Sequence, residues 1–566
     1  MRDEPKRVPL DFLGKLLKRR CLPPNMWQQN YTPIGGNLLE SALVAALPIF
    51  TILILLGILR RPAWLAAVSA VIVALLVALL AYQMPPVLAV SATLFGAAFG
   101  IFPIWWVVFA AILLFRIVEE TGRFEVIKSS IIRLTNDQRL QVLLIGFTFG
   151  AFMEGAAGFG APVAVAAAML AGLGFARFEG AALCLIANTS PVAFGSIGIP
   201  IVTLAGTTGL GVMGLSAFAG RLCAPVSLIL PCYLMVTLGG FKALRGVFPA
   251  AAVCGVVYAL VQFLVSNFIG PQLTDILGSM IAMAALLLLL RFWRPKDTAE
   301  YRLSEAGASA TSVGSQLDSK QVFMAWLPYL LLVVIIILWG IAAFNSWLGQ
   351  ASIPIQWPQL HNLIQRIPPV VAKASNYPAV YNLNYLSASG TAVFIAAVLS
   401  AICLRVSPSK CALIFWKTLR QLGVPAVTFA SVLALAFLMN YSGATATLGL
   451  AFAATGSLFP IFSVLLGWVG TFLTGSDTSS NALFGNLQVI TANRLNLDPT
   501  LMAAANSAGG VMGKMISLQS LAVAVAATGM KTTDEPRLFR KVVGHSVLLV
   551  AVVAVLNVIY SAILKG

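Results

Sequence analysis

The chain has 566 residues, of which 59% are hydrophobic and only 10% charged, against roughly 25% charged in an ordinary soluble domain. With a mean hydropathy of +0.92, so little charge excludes a soluble enzyme, a disordered chain and a disulfide-stapled scaffold. Long unbroken apolar runs also exclude a transmembrane barrel, whose strands alternate, and leave an all-α polytopic membrane protein.

Residues 1–25 carry Arg2, Lys6, Arg7, Lys15, Lys18, Arg19 and Arg20. No apolar core of signal-peptide length follows them before Pro23. This basic extension is expected to lie ahead of a translation start at Met26. A helix needs about 20 apolar residues to cross the hydrocarbon core. Stretches of that kind lie at 38–59, 63–82, 87–115, 222–238, 247–268, 276–292, 322–344, 385–404, 425–439 and 542–564. Apolar stretches near 140–205 and 443–528 are interrupted by Gly, Asn, Ser and Pro. With those pieces, about 12–14 inserted segments are expected.

The formal net charge of +17 reads as basic loops facing the cytoplasm and anionic lipid, with no nucleic-acid partner. Arg60 and Arg61, Arg116 to Arg139, Lys242 and Arg245, Arg291 to Arg302, and Arg405 to Arg420 all fall on one side in a single topology. The segment 345–384 then lies outside. Charge mixed with Val126, Ile127, Ile131 and Ile132 predicts an interfacial helix over 124–134. None of the seven cysteines forms a CxxC pair, so neither a disulfide framework nor a metal site is implied.

The most informative feature is an internal repeat. Gly150-Ala-Phe-Met-Glu-Gly155 resembles Gly470-Thr-Phe-Leu-Thr-Gly475 at an offset of 320. Ala187-Asn-Thr189 with Gly195 resembles Ala505-Asn-Ser507 with Gly513, the glycines being 318 apart. Segments 85–293 and 385–566 therefore read as two structural repeats. They are separated by a cytoplasmic linker, 294–321, and by a span with its outer loop, 322–384. The N-terminal spans occupy 26–84. Each repeat carries a re-entrant hairpin (140–175 and 458–492) and a broken helix (180–205 and 500–525). The length argument is direct: 140–153 is 14 residues, about 21 Å as helix, too short for a core of about 30 Å. Irregular backbone at membrane depth is tolerated only where it is buried or lines a wet cavity, and half-helix N-termini there suit a carboxylate.

Ionisable residues sit at these breaks. Glu154 and Asp477 occupy the two tips, and Lys514 lies in the second broken helix. A charge at bilayer depth costs about 3 kcal/mol or more, which makes each a functional candidate. Glu154 has apolar neighbours and is the first choice for a proton site; Asp477 is a second proton-coupling candidate, or a structural partner for Lys514. Lys514 itself reads as a holder of the substrate carboxylate. The cradle is expected from Gly155, Gly158 and Gly160, from Asn188, Thr189 and Ser190, from Ser476, Thr478, Ser479, Ser480 and Asn481, and from Asn506 and Ser507. The glycines read equally as residues that let helices approach. His361 and His545 fall in the outer loop and near the start of the last span. Gly513-Lys514 is no P-loop, because Met515 follows and no glycine stands at 508. No HExxH or GxSxG occurs, so neither enzyme chemistry nor a cofactor is expected.

Several motifs resemble the bacterial L-lactate permease family, which includes the glycolate permeases. They are Trp27-Gln-Gln-Asn-Tyr31, Glu154-Gly-Ala-Ala-Gly-Phe-Gly-Ala-Pro-Val163, Asn188-Thr-Ser-Pro-Val-Ala-Phe-Gly195, Arg366-Ile-Pro-Pro-Val370, Thr474-Gly-Ser-Asp-Thr-Ser-Ser-Asn-Ala-Leu-Phe484 and Gly513-Lys-Met-Ile-Ser517. The resemblance runs from about residue 26 to the C-terminus. It implies proton-coupled import of L-lactate across the bacterial inner membrane, with D-lactate and glycolate accepted. It also implies, by distant likeness, an elevator-type transporter. The alternative is a sodium-coupled carboxylate transporter using the same tip groups. The expected partners are thus a small monocarboxylate, a proton and the lipid bilayer; the sequence sets no oligomeric state.

Overall fold

The computed structural model describes residues 26–158, 160–302 and 318–564. The expectation about residues 1–25 lies outside the described residues, as does most of the 294–321 linker.

The first helix shows how the chain sorts itself between lipid and protein. Asn37 caps Leu38–Leu53, its side chain accepting from the backbone N–H groups of Leu39 and Glu40. That satisfies donors that have no intrahelical partner. Leu39, Leu43, Leu47, Phe50, Ile54 and Ile58 are exposed, whereas Ala42, Ala45, Ile49 and Ile52 are buried. Both sets recur every three or four residues, so one stripe faces acyl chains and the other faces protein. In lipid the large side chains stay outside and the small ones pack.

Among the described residues ten helices are long and apolar enough to cross a membrane, or eleven if the bent pair Arg177–Ala187 with Val192–Thr208 is one span. This is fewer than the 12–14 inserted segments expected, because that expectation counts hairpin limbs and broken halves separately. One of the ten, Val212–Phe268, is 57 residues long and doubles back. Gly239 and Gly240 leave helical geometry, Gly240 with φ +70°. The two halves then run side by side: Ser216 Oγ donates to the Ser266 carbonyl at 2.8 Å, and Ser227 Oγ donates to Gln262 Oε1 at 2.7 Å. Ser389–Cys403 is apolar but only 15 residues. A helix, Arg123–Ile132, forms where one is expected over 124–134.

Each stretch read as a hairpin contains helices joined by a short turn. The first rises through Gln138–Gln141, Val142–Phe149 and Gly150–Ala156 and returns as Ala161–Gly172. The second rises as Phe459–Thr474, turns at Gly475 (φ +71°) and returns as Asp477–Arg494. The broken helices differ from each other. Arg177–Ala187 and Val192–Thr208 meet at 64°. In contrast, Pro499–Lys514 and Leu518–Thr528 form one 30-residue span without a sharp bend, so the break expected within 500–525 shrinks to the three residues Met515–Ser517. Phe459–Thr474 and Pro499–Lys514 approach backbone to backbone. A Cβ placed on Gly467, Gly509 or Gly513 would strike the carbonyl oxygen of Asn506, Val464 or Trp468.

At the end bearing the basic loops, Arg139 is fully buried rather than free in a loop. It donates to Asp137 at 2.7 Å and to Asp297 at 2.8 Å and lies over the Tyr301 ring. This ties the foot of the first hairpin to the chain after Thr274–Phe292. At the opposite end, residues 345–384 fold into short strands that the sequence did not predict. Ile353–Gln356 pairs antiparallel with Val380–Leu383. Ile364–Arg366 is flanked by Trp27–Gln28 (parallel) and Ser375–Asn376 (antiparallel).

Candidate functional site

The tip of the first hairpin is shaped by glycine. Gly158 and Gly160 adopt φ +62° and +84°, a region that side chains disfavour. Gly155 acts by its size instead. A Cβ there would lie 2.8 Å from Asp275 Cβ, so its bare backbone lets Thr274–Phe292 approach the tip. None of the three lines the cavity between the two tips; they turn and pack the hairpin.

Across from this tip the first broken helix does not restart smoothly. Ser196, Ile197 and Gly198 take φ +46°, +61° and +73° in succession. Left-handed geometry costs an L-residue roughly 1–2 kcal/mol. The turn is braced by Ser196 Oγ, which donates to the Ala157 carbonyl at 3.1 Å. It lays the bare face of Gly195 against Glu154: a Cβ there would sit 2.6 Å from Glu154 Oε1. The regular helix resumes beyond Gly198, and its Pro200 reaches the space between the two tips.

These elements line a partly open cavity with about 440 Å³ of empty space, part of it continuous with the outside. Glu154, Asp477 and Lys514 all face it, with Ser476 and Thr478 from the second tip and Gly195, Ser196 and Gln519 around them. The three charged residues are buried. Glu154 Oε2 has no hydrogen-bond partner, so one oxygen of this carboxyl is left for something else. Lys514 donates to the Gly475 carbonyl at 2.5 Å. It makes no ion pair with Asp477 within 4 Å among the described residues. Its charge still interacts with both Glu154 and Asp477.

The remaining predicted residues form the layer behind. Asp477 accepts from Ser507 Oγ at 2.6 Å, from Thr471 Oγ1 at 3.3 Å and from Asn481 Nδ2 at 3.3 Å. Asn481 also donates to the Pro200 carbonyl at 3.1 Å and accepts from Asn506 at 2.9 Å. Buried polar groups of this kind hold one geometry because each unmade bond is costly. Ser480 donates to the Gly467 carbonyl, and Ser479 N–H donates to Ser476 Oγ as a helix cap. Asn188 stands beside the Glu154 carboxyl, with its Oδ1 unpartnered. Thr189 turns away, donating to Ile186. Ser190 shares a 2.5 Å hydrogen bond with Ser227, and Gln262 donates to its carbonyl.

One buried carboxylate has no place in the sequence-based site. Asp275 is buried, accepts from Tyr258 Oη at 3.2 Å and has Oδ2 without a partner. Its charge interacts with Glu154. The available signal is an acid at the start of an otherwise apolar span; its meaning depends on packing against Gly155, 120 positions away. The histidines lie elsewhere, His361 on the Ala379 backbone and His545 against Tyr233.

The sequence has close relatives. The chain is 44% identical over 557 residues to the L-lactate permease of Bacillus subtilis, covering 94% of this chain and 98% of that one. It is 44% identical over 556 residues to the glycolate permease GlcA of Escherichia coli, covering 95% and 99%. It is 34% identical over 542 residues to the L-lactate permease of Halalkalibacterium halodurans, again covering 95% and 99%. The profile of the L-lactate permease family matches residues 41–564. The chain belongs to the L-lactate permease family.

Proposed function

We propose that the protein imports L-lactate and related 2-hydroxy monocarboxylates, including D-lactate and glycolate, across the bacterial inner membrane by proton symport. The observation that carries this reading is the single cavity faced by Glu154, Asp477 and Lys514. It offers one cation for a carboxylate, a ring of hydroxyls and amides for a 2-hydroxyl, and a carboxyl with an unpartnered oxygen for a proton.

The energetics favour carrying a cation with the acid, and in this reading the cation is a proton. Moving a monoanion inward against a negative interior is opposed by about 2.3 kcal/mol per 100 mV. One proton carried with it cancels that term. In this reading Lys514 receives the carboxylate. Ser476 and Thr478 meet the hydroxyl, and the proton rides on Glu154. Asp275 packs against Gly155, the residue after Glu154, and a proton on Glu154 would lessen the repulsion between the two buried carboxyls.

The same geometry supports an alternating-access scheme. The foot of the first hairpin is at the basic end, through Arg139 and Asp297. The second hairpin returns toward the opposite end, where Asn493 lies near the 345–384 cap. Two units entering from opposite sides fit inverted repeats, and the hairpins with their broken helices would move together as the transport unit of an elevator. The test is Glu154→Gln in proteoliposomes. It is expected to abolish pH-driven accumulation of L-lactate while lactate exchange survives; full accumulation by the variant removes the proton assignment.

A further inference from the structure

A second polar cavity lies about a third of the membrane away from the first. It is an open vestibule with about 1730 Å³ of empty space under the 345–384 cap, and Arg366, Gln29, Asn382, Asn440, Asn486 and Asn493 contribute its polar lining. Arg366 is its one cationic side chain, and no Asp or Glu lines it. The guanidinium lies over the Tyr377 ring at 4.6 Å. Its Nε is buried without a hydrogen-bond partner, and among the described residues no carboxylate pairs with it within 4 Å.

Two helices connect this vestibule to the inner cavity. Gly195–Thr208 has Pro200 at the inner cavity and Thr207 and Thr208 at the vestibule. Asp477–Arg494 has Thr478 at the inner cavity and Asn486 at the vestibule. At 1.5 Å per residue both routes are about 10–12 Å long. Asn440 ties the helices together at the outer level. It donates to the Thr207 carbonyl at 3.4 Å and accepts from Asn486 at 2.9 Å. Between the two levels Gly485 lies against Leu204 and Thr208 so closely that a Cβ would not fit.

An uncompensated guanidinium in a concave, partly apolar wall focuses positive potential and raises the local concentration of anions. Its planar donors suit a carboxylate, and the surrounding amides suit a hydroxyl. We propose that Arg366 and the amides of this vestibule form an outer binding site for the carboxylate substrate. The acid is captured there before it reaches the inner cavity. The inference rests on the transport reading above and adds a second, sequential site to it. Packing against Tyr377 is the competing role for Arg366, and the two differ in their dependence on charge.

The experiment measures initial uptake of labelled L-lactate in proteoliposomes as a function of lactate and of added choline chloride. Arg366→Gln is expected to raise KM about tenfold, the loss of a charge-assisted contact. It should also flatten the fall of uptake rate with ionic strength, which a packing defect would not do. Arg366→Lys, which keeps the charge, should retain most of both properties. Asn382→Asp, which leaves Arg366 in place but adds an opposing charge to the vestibule, should raise KM in the same direction. Wild-type KM and salt dependence in Arg366→Gln overturn the proposal, as does Arg366→Lys behaving like Arg366→Gln, or an unchanged KM in Asn382→Asp. The two readings fail separately. Full accumulation by Glu154→Gln removes the proton site and leaves the Arg366 comparison standing, whereas unchanged KM in the Arg366 set removes only the outer site.

Discussion

Lys514 gives its ammonium to the backbone carbonyl of Gly475 at 2.5 Å, and not to the Asp477 carboxylate two residues further on. Asp477 is already satisfied by Ser507, Thr471 and Asn481. The lysine is therefore held at the second hairpin tip by an uncharged partner, and its charge remains available to an anion in the cavity. Lys514→Gln should raise KM for L-lactate at least tenfold. It should also lower stability by about 1.5–3 kcal/mol, because a charged donor to a buried carbonyl is lost. Uptake kinetics and thermal melting of the purified variant in detergent check both; a wild-type KM contradicts the assignment.

Asp275 contacts the first hairpin through the gap left by Gly155 and interacts with Glu154. Asp275→Asn should therefore impair coupling more than binding. The expected result is a loss of pH-driven accumulation of about tenfold or more, with lactate exchange within about twofold of wild type. Equal loss of accumulation and exchange would mean that Asp275 only supports the fold.

Close helix approach at the second hairpin depends on Gly509. A Cβ there would strike the Val464 carbonyl oxygen, so Gly509→Ala should destabilise the protein by about 1–3 kcal/mol. Gly544 is the control. A Cβ there meets nothing within 4 Å, and Gly544→Ala within Glu535–Ile563 should be neutral or stabilising by up to about 1 kcal/mol. Melting temperatures in detergent should fall for the first variant and hold or rise for the second.

The clamp at the basic end gives a pH signature. The hydrogen bond from Arg139 holds the Asp297 carboxyl below its usual range. A carboxyl lowered in the folded state contributes stability that is fully present above its unfolded value, about 3.9. That contribution is lost as pH falls through the lower folded value. Asp297→Asn should cost about 1–2 kcal/mol at pH 7, since the side chain is partly exposed and Arg139 keeps Asp137. Its deficit relative to wild type should shrink once pH drops below about 4. Melting curves from pH 7 to pH 3 measure this; a constant deficit would show that the ion pair does not contribute.

Sequence alone determined that the chain is an all-α membrane protein, which end of the spans carries the basic loops, and where regular helix gives way. Those properties depend on composition and local periodicity. Glu154, Asp477 and Lys514 stood out because a charge in an apolar run is costly wherever the run folds. Tertiary structure decided the rest, because each point depends on residues distant in the chain. It packed Asp275 against Gly155 at the first hairpin tip, turned Lys514 toward Gly475 and moved Ser507 and Asn481 into a layer behind Asp477. It also bent the first broken helix by 64° while keeping the second within one 30-residue span, and folded 345–384 into a β-stranded cap that carries Arg366. A sequence shows which residues pay a penalty for burial in lipid, but only the packed helices show which partner relieves it.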